Sequence, residues 1–249
     1  MSTPTPGPAA LLRRLVESDP GRPRITVYDD TDSPTRGERV ELSARVLANW
    51  VAKAANLLQD ELDAGVGTVV RLDLPPHWRT LYWALAAWSV GACVVVPAHR
   101  AGARAADSDV ALSAADVVVT DDPATAEDAE EGVLVTLAAL ARSAPGPVAS
   151  GVIDEAKEVA THGDVFTPWE EADPSDPALR NGGTTTFGDL VPAPEDGRVH
   201  TATDDTAAFL RTALAAWAAD GSVVLTRGTP APEVLAARRS AEGVTRDAE

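Results

Sequence analysis

The chain has 249 residues, long enough to bury one large core or two small ones. Asp and Glu total 38 against 21 Lys and Arg, and the resulting formal charge of −17 argues against nucleic acid and membrane surfaces as partners. The single cysteine, Cys93, excludes an intrachain disulfide and a thiolate-built metal site.

The opening stretch, "MSTPTPGPAALLRRLVESDP", lacks the basic start and apolar core of a secretory signal. No apolar run reaches the length of a membrane span, so a soluble, cytoplasmic protein is expected. "AALLRRLVE" reads as a short helix and "RITVYDD" (24–30), alternating and β-branched, as a strand. "VELSARVLANWVAKAANLLQDEL" reads as an amphipathic helix with Ser43 as N-cap and Val46, Trp50, Ala54, Leu57 and Leu58 along its apolar stripe. "VVRLDLP" is a strand stopped by Pro75 and Pro76, and "HWRTLYWALAAWSVGA" a second helix. Trp78, Trp83 and Trp88 on that helix are expected in the core rather than on a ligand platform. "CVVVPA", "ADVVVTDD" and "GVLVT" (132–136) are near-continuous valine runs separated by helical or polar stretches. That pattern predicts an α/β, three-layer architecture whose mainly parallel sheet is flanked by helices.

From residue 141 the texture changes, and "ARSAPGPVASG" and the run to residue 200 show no sustained period. "DDTAAFLRTALAAWAADG" is again a helix, "SVVLTR" a strand, and "PEVLAARRSAE" a last helix. Three regions are expected: an α/β subdomain over 1–140, an irregular linker region over 141–200, and a small α/β remnant over 201–249.

Little catalytic chemistry is legible in isolation. The acidic runs "DDPATAEDAEE" and "EEADPSD" read as solvated loops. His77, His99, His162 and His200 show no helical pairing for a metal. His77 follows a strand end, where α/β folds place ligands, but lacks a visible partner. Asp30, Asp32 and Glu41 stand at positions one, three and twelve of a calcium loop, but Pro34 and Thr35 occupy positions that loop cannot spare. No metal site and no catalytic residue is expected. Dinucleotide, Walker and nucleophile-elbow motifs are not found.

The order "ITVYDD…RVELSARVLANW…RLDLPP…SVGA…VVVPA…AADVVVTDD" resembles the start of the adenylate-forming (AMP-binding, acyl-CoA synthetase-like) superfamily, as far as about residue 122. The chain is also similar to a short actinobacterial group that carries only this front part. The resemblance implies ATP or AMP as cofactor, held by a Thr/Ser/Gly-rich loop that ends in proline-lysine-glycine. "DPALRNGGTTTFGDLV" (176–191) occupies the equivalent place, so Gly182, Gly183, Thr184 and Thr185 are the candidate nucleotide-binding residues of a degenerate loop. No apolar strand is read after "DPAL", and no lysine follows the threonines. The resemblance further implies an aromatic-glycine-x-threonine-glutamate segment, a ribose-binding aspartate, a hinge and a lysine-bearing C-terminal domain. None is recognisable here, and Lys53 and Lys157 are the only lysines. The expectation is a truncated, non-catalytic relative that holds no cofactor and acts through binding or interaction with an unidentified protein partner. The alternative is part of an adenylate-forming ligase completed by a partner chain.

Overall fold

The computed structural model describes residues 7–97 and 115–248. The chain opens with α1 (Pro8–Ser18), whose Pro8 occupies the first turn, where a missing N–H costs nothing. Strands β1 (Pro23–Asp29) and β2 (Arg39–Ser43) form a hairpin that feeds α2 (Ala44–Glu61). Ser43 caps α2 as expected, its Oγ accepting the Val46 N–H at 3.3 Å. Ala54, Leu57 and Leu58 of the expected α2 stripe are buried, but in the first two turns the buried positions lie one residue later than expected. Leu47, Val51, Ala54, Ala55 and Leu58 face inward, while Val46 is left exposed in the first turn beside the cap.

Then follow β3 (Val69–Asp73), α3 (Trp78–Ser89), β4 (Cys93–Val95) and β5 (Val117–Thr120). After them come α4 (Pro123–Glu127), β6 (Glu131–Leu134), β7 (Ile153–Asp154) and α5 (Glu155–Glu158). These strands join β8 (Pro177–Arg180) and β9 (Thr184–Thr186) in one seven-stranded sheet of order β7-β6-β5-β3-β4-β8-β9. All its pairs are parallel except β8–β9. The three valine runs are thus neighbours, as their composition predicts. The last elements are β10 (Arg198–Thr201), α6 (Thr206–Ala218), β11 (Ser222–Arg227), α7 (Pro232–Ala241) and β12 (Arg246–Asp247). They build a second sheet of order β12-β10-β11-β1-β2, in which β11 lies between β10 and β1. This sheet therefore joins residues 23–43 to residues 198–247. The expected last helix does not finish the fold, because β12 follows α7 and pairs with β10.

Helix α3 is mostly apolar round its circumference, the pattern of an enclosed helix, with Arg79 and Thr80 as its buried polar exceptions. Every residue from Trp78 to Trp88 is buried, with α3 packed on β3 and β4 and also touching β1, α1, α2 and α6. Trp78, Trp83 and Trp88 sit in the core, and Trp88 Nε1 donates to the Ala178 carbonyl at 2.8 Å. At the far end of β1, the Arg24 guanidinium is wholly buried. It donates to the carbonyls of Leu15, Asp220 and Gly221 and pairs with Asp220 at 2.8 Å.

Residues 160–169 have no sheet partner but are pinned along α2. Lys53 Nζ donates to the carbonyls of Ala160 and His162, and Asn56 Nδ2 to those of Gly163 and Val165, both at 3.0 Å. Gln59 donates to the Thr167 carbonyl and accepts the Trp169 N–H. The spacing of three along α2 puts these side chains on one face.

Among the described residues, one ion pair has both side chains sealed from solvent. Arg79 Nη1 meets Glu155 Oε1 at 2.6 Å, both side chains being essentially fully buried, and the Tyr82 hydroxyl donates to the same carboxylate. Burial pushes the Glu155 carboxyl up, and Arg79 opposes the shift. Removing one partner strands the other charge in a dry site. Glu155→Ala is expected to lower unfolding free energy by about 3–5 kcal/mol, and Arg79→Met with Glu155→Leu to recover much of that loss. Urea denaturation midpoints of both variants check this; a single variant no less stable than the double refutes it.

Candidate functional site

The glycine-threonine stretch forms the β8–β9 hairpin on the edge of the seven-stranded sheet. "PALR" is a strand after all: Ala178 and Leu179 are buried, and Val94↔Leu179 and Val95↔Arg180 are parallel partners. With only two buried apolar residues, the strand falls below what an apolar-run criterion detects. Arg180 pairs with Thr184, so the connection is the three residues Asn181, Gly182 and Gly183. The Asn181 N–H donates to the Gly183 carbonyl at 3.1 Å, and Asn181 Nδ2 ties the turn to the Val96 carbonyl at 3.2 Å.

Gly182 has φ +67°, a backbone that needs glycine, and a side chain at either glycine would meet open space. Among the described residues, neither glycine N–H has a backbone acceptor. Thr184 is exposed, Thr185 and Thr186 are half-buried, and Thr186 Oγ1 donates to Asp189 at 3.1 Å. The turn thus offers two N–H donors, with one carboxylate three residues beyond the threonines. Arg180, half-buried at its base, makes no ion pair among the described residues; it is a cation that reading for lysine overlooked.

The seven-stranded sheet reverses its winding at β3, since β4 lies on one side of it and β5 on the other. Ligands of open α/β sheets enter the crevice outside the strand carboxyl ends at such a point. Here it is ringed by ionisable groups. Arg71 pairs with Asp73 at 2.5 Å at the end of β3. Asp121, which follows β5, has its carboxyl pushed up by the protein crowding it, with Asp73 and Asp122 adding and Arg227 opposing. From the other sheet come Asp29 and Arg227, direct cross-strand partners that pair at 2.5 Å.

Asp29 also accepts the Thr31 N–H at 2.9 Å and the hydroxyls of Thr31 and Thr35, which fixes the β1–β2 connection. Burial alone would raise its carboxyl; the hydrogen bonds from Thr31 and Thr35 and the pull of Arg227 outweigh it and hold the group below its ordinary value. His77 caps α3, its Nδ1 accepting the Arg79 N–H at 3.3 Å. Burial first, then Arg227 and Arg79, push its imidazole well below the usual range, with Asp29 opposing. His77 is therefore neutral at pH 7.

Most of these groups already have partners within the protein, Arg71 with Asp73 and Asp29 with Arg227 among them. The Asp29 carboxylate is filled by four donors from Thr31, Thr35 and Arg227, and His77 is 2% exposed and occupied at Nδ1. The crevice clamps the carboxyl ends of the two sheets, and its described residues present no accessible nucleophile beside a base. Gly182, Gly183, Thr184 and Thr185 lie together on the edge hairpin, whereas His77 belongs to the crevice. His99 falls outside the described residues.

Two acid-stability effects follow. The depressed Asp29 carboxyl stabilises the fold above the unfolded value near 4, and that contribution is lost as pH falls through the lower folded value. Asp29→Asn is expected to weaken the protein at pH 7 and flatten the unfolding free energy below about pH 4. The neutral His77 acts higher: below about pH 6.5 the unfolded imidazole takes up a proton that the folded one refuses, so stability falls with pH. His77→Asn, which keeps a capping acceptor, should lose less stability between pH 7.5 and 5.5 than the parent. An equal or larger loss, measured by chemical denaturation, refutes this assignment.

With this geometry in hand, the relatives are informative. Residues 12–186 match the family profile of the AMP-binding enzyme. A TIGR03089 family protein of Mycobacterium tuberculosis is 41% identical over 169 residues, a stretch covering 68% of this chain and 65% of that protein. Among solved structures, an acyl-CoA synthetase of Brucella canis matches 99% of this chain with a TM-score of 0.71 at 18% identity. This chain spans only 48% of that synthetase. The N-terminal domain of FACL13 from Mycobacterium tuberculosis matches 97% of the chain and 62% of its own length, with a TM-score of 0.70 at 15% identity. At such identities the structures speak for the fold alone: mainly parallel sheets flanked by helices, as in N-terminal domains of adenylate-forming enzymes. The family profile, covering more than half of the sequence, carries the assignment itself: the chain belongs to the AMP-binding enzyme family.

Proposed function

We propose that this protein is a non-catalytic AMP-binding-enzyme-like protein that works in the cytoplasm through binding or interaction. The observation that carries the reading is the shape of the glycine turn. Three residues close it, its own backbone bond spans Asn181 to Gly183, and no lysine stands near. Lys53 is spent on the carbonyls of Ala160 and His162 and pairs with Asp164 at 3.0 Å. Lys157 sits in α5 after β7, at the opposite edge of the sheet from β9. A polyphosphate held by a few N–H groups with little compensating charge is held poorly. Asp189 would add repulsion, and the acidic surface disfavours nucleic acid and membrane partners.

A second reading has one observation in its favour. Arg180 lies at the base of the turn beside two N–H donors and has no ion pair among the described residues. That combination suits an adenylate-forming ligase in which a partner chain supplies the missing lysine. The two readings part on nucleotide binding. Thermal-shift and calorimetric titrations with Mg-ATP are expected to show no response in the parent, in Arg180→Ala, or in Thr184→Ala/Thr185→Ala/Thr186→Ala. The triple variant should cost about 1 kcal/mol of stability or less, as exposed and edge-strand changes do. An ATP-dependent rise in Tm in the parent that the variants lose, or acid-dependent pyrophosphate exchange, would replace the first reading with the second.

A further inference from the structure

A groove of about 720 Å³ opens between α1, α2 and the segment that leads into and out of the β8–β9 hairpin. Its size suits a small molecule. Ala48 and Val51 of α2 and Val16 of α1 line it, joined by the rings of Trp88, Phe166 and Phe187. Trp88 is locked by its bond to the Ala178 carbonyl, and none of the three rings pairs with another aromatic side chain among the described residues.

The charged residues lining the groove are Arg13, Glu17 and Glu171, all exposed, and none of them forms an ion pair or side-chain hydrogen bond among the described residues. Carboxylates outnumber the guanidinium, and the whole chain carries −17. Carboxylates bordering an apolar groove attract cations.

From this combination we propose that the groove binds a small cationic amphiphile, an alkyl or aryl body carrying an ammonium head. The apolar body lies against Val16, Ala48 and the three rings. The head stays in the mouth beside Glu17 and Glu171. A carboxylate head of the same length would meet those two side chains with the wrong sign. The site is separate from the glycine turn, so it holds whether or not a nucleotide binds there.

Calorimetry of the full chain with decyltrimethylammonium, decanoate and decanol, each kept below its micelle-forming concentration, tests this. The ammonium should bind saturably, one per chain, and about tenfold more tightly than decanoate, since each exposed charge contact contributes roughly a threefold preference. Each methylene removed from the ammonium should weaken binding about fourfold. Glu17→Lys with Glu171→Lys changes only exposed positions, so the fold survives, and the order of ammonium and decanoate should reverse. Ala48→Trp fills the groove and should abolish binding of all three ligands. Decanoate binding as tightly as the ammonium, no saturable binding in the parent, or a preference untouched by the charge reversal would each overturn the proposal.

Discussion

The structure depends on the parallel pairing of β1 with β11. Five residues of β1, from Ile25 to Asp29, lie in register with Val223 to Arg227, almost two hundred positions later. Without that pairing, β10, β11 and α6 have no sheet to complete and β1 keeps only its antiparallel neighbour β2. The pairing is closed at both ends by charge. Arg24 is sunk against the Asp220 carboxylate and three carbonyls at one end, and Asp29 meets Arg227 at the other. A parallel ladder forms only once the long intervening chain has been brought home, so its loop-closure entropy is met before any contact rewards it. Buried charge that finds its partner only in the correct register penalises a slipped one.

The crevice at the strand ends shows the same economy. The Asp29 carboxyl is held below its ordinary value and the His77 imidazole well below its own, a property that marks functional sites and structural ion networks alike. Hydrogen-bond occupancy separates the two. Each oxygen of Asp29 has a donor in the protein, and His77 is enclosed with its acceptor nitrogen used. Here the altered values record how firmly the two sheets are clamped.

The local elements were legible in the sequence to the extent that their signals are local. Ser43 before an apolar period, the valine runs, and the tryptophans spaced along α3 each report a preference fixed within a few residues. Family membership was legible for the same reason, because the residues that carry it are turn and strand-end positions of that contiguous front part. The one-residue shift in the first two turns of α2 was not, because Val46 and Leu47 are equally apolar and only packing decides between them. β8 and β12 were missed because two- to four-residue strands owe their existence to the strands beside them. Of the candidate site, the glycine turn was visible as composition. Arg180 was hidden because its relevance comes from facing Thr184 across a hairpin. The Asp29–Arg227 clamp was hidden too, since nothing in "VYDD" names "LTR" as its neighbour.

The row of Lys53, Asn56 and Gln59 along α2 grips the 160–169 segment mainly by its carbonyl oxygens. Every residue type supplies the same oxygen, so the grip reads chain direction and spacing and is blind to side-chain identity. Positions such as Val165 and Thr167, which face solvent, are therefore free to drift in sequence while the path of the backbone stays put. The constraint rests on three side chains of the helix, and replacing Lys53 or Asn56 alone releases two carbonyls at once. Such an arrangement lets the solvent-facing side of this segment be repainted residue by residue without rebuilding the scaffold beneath it.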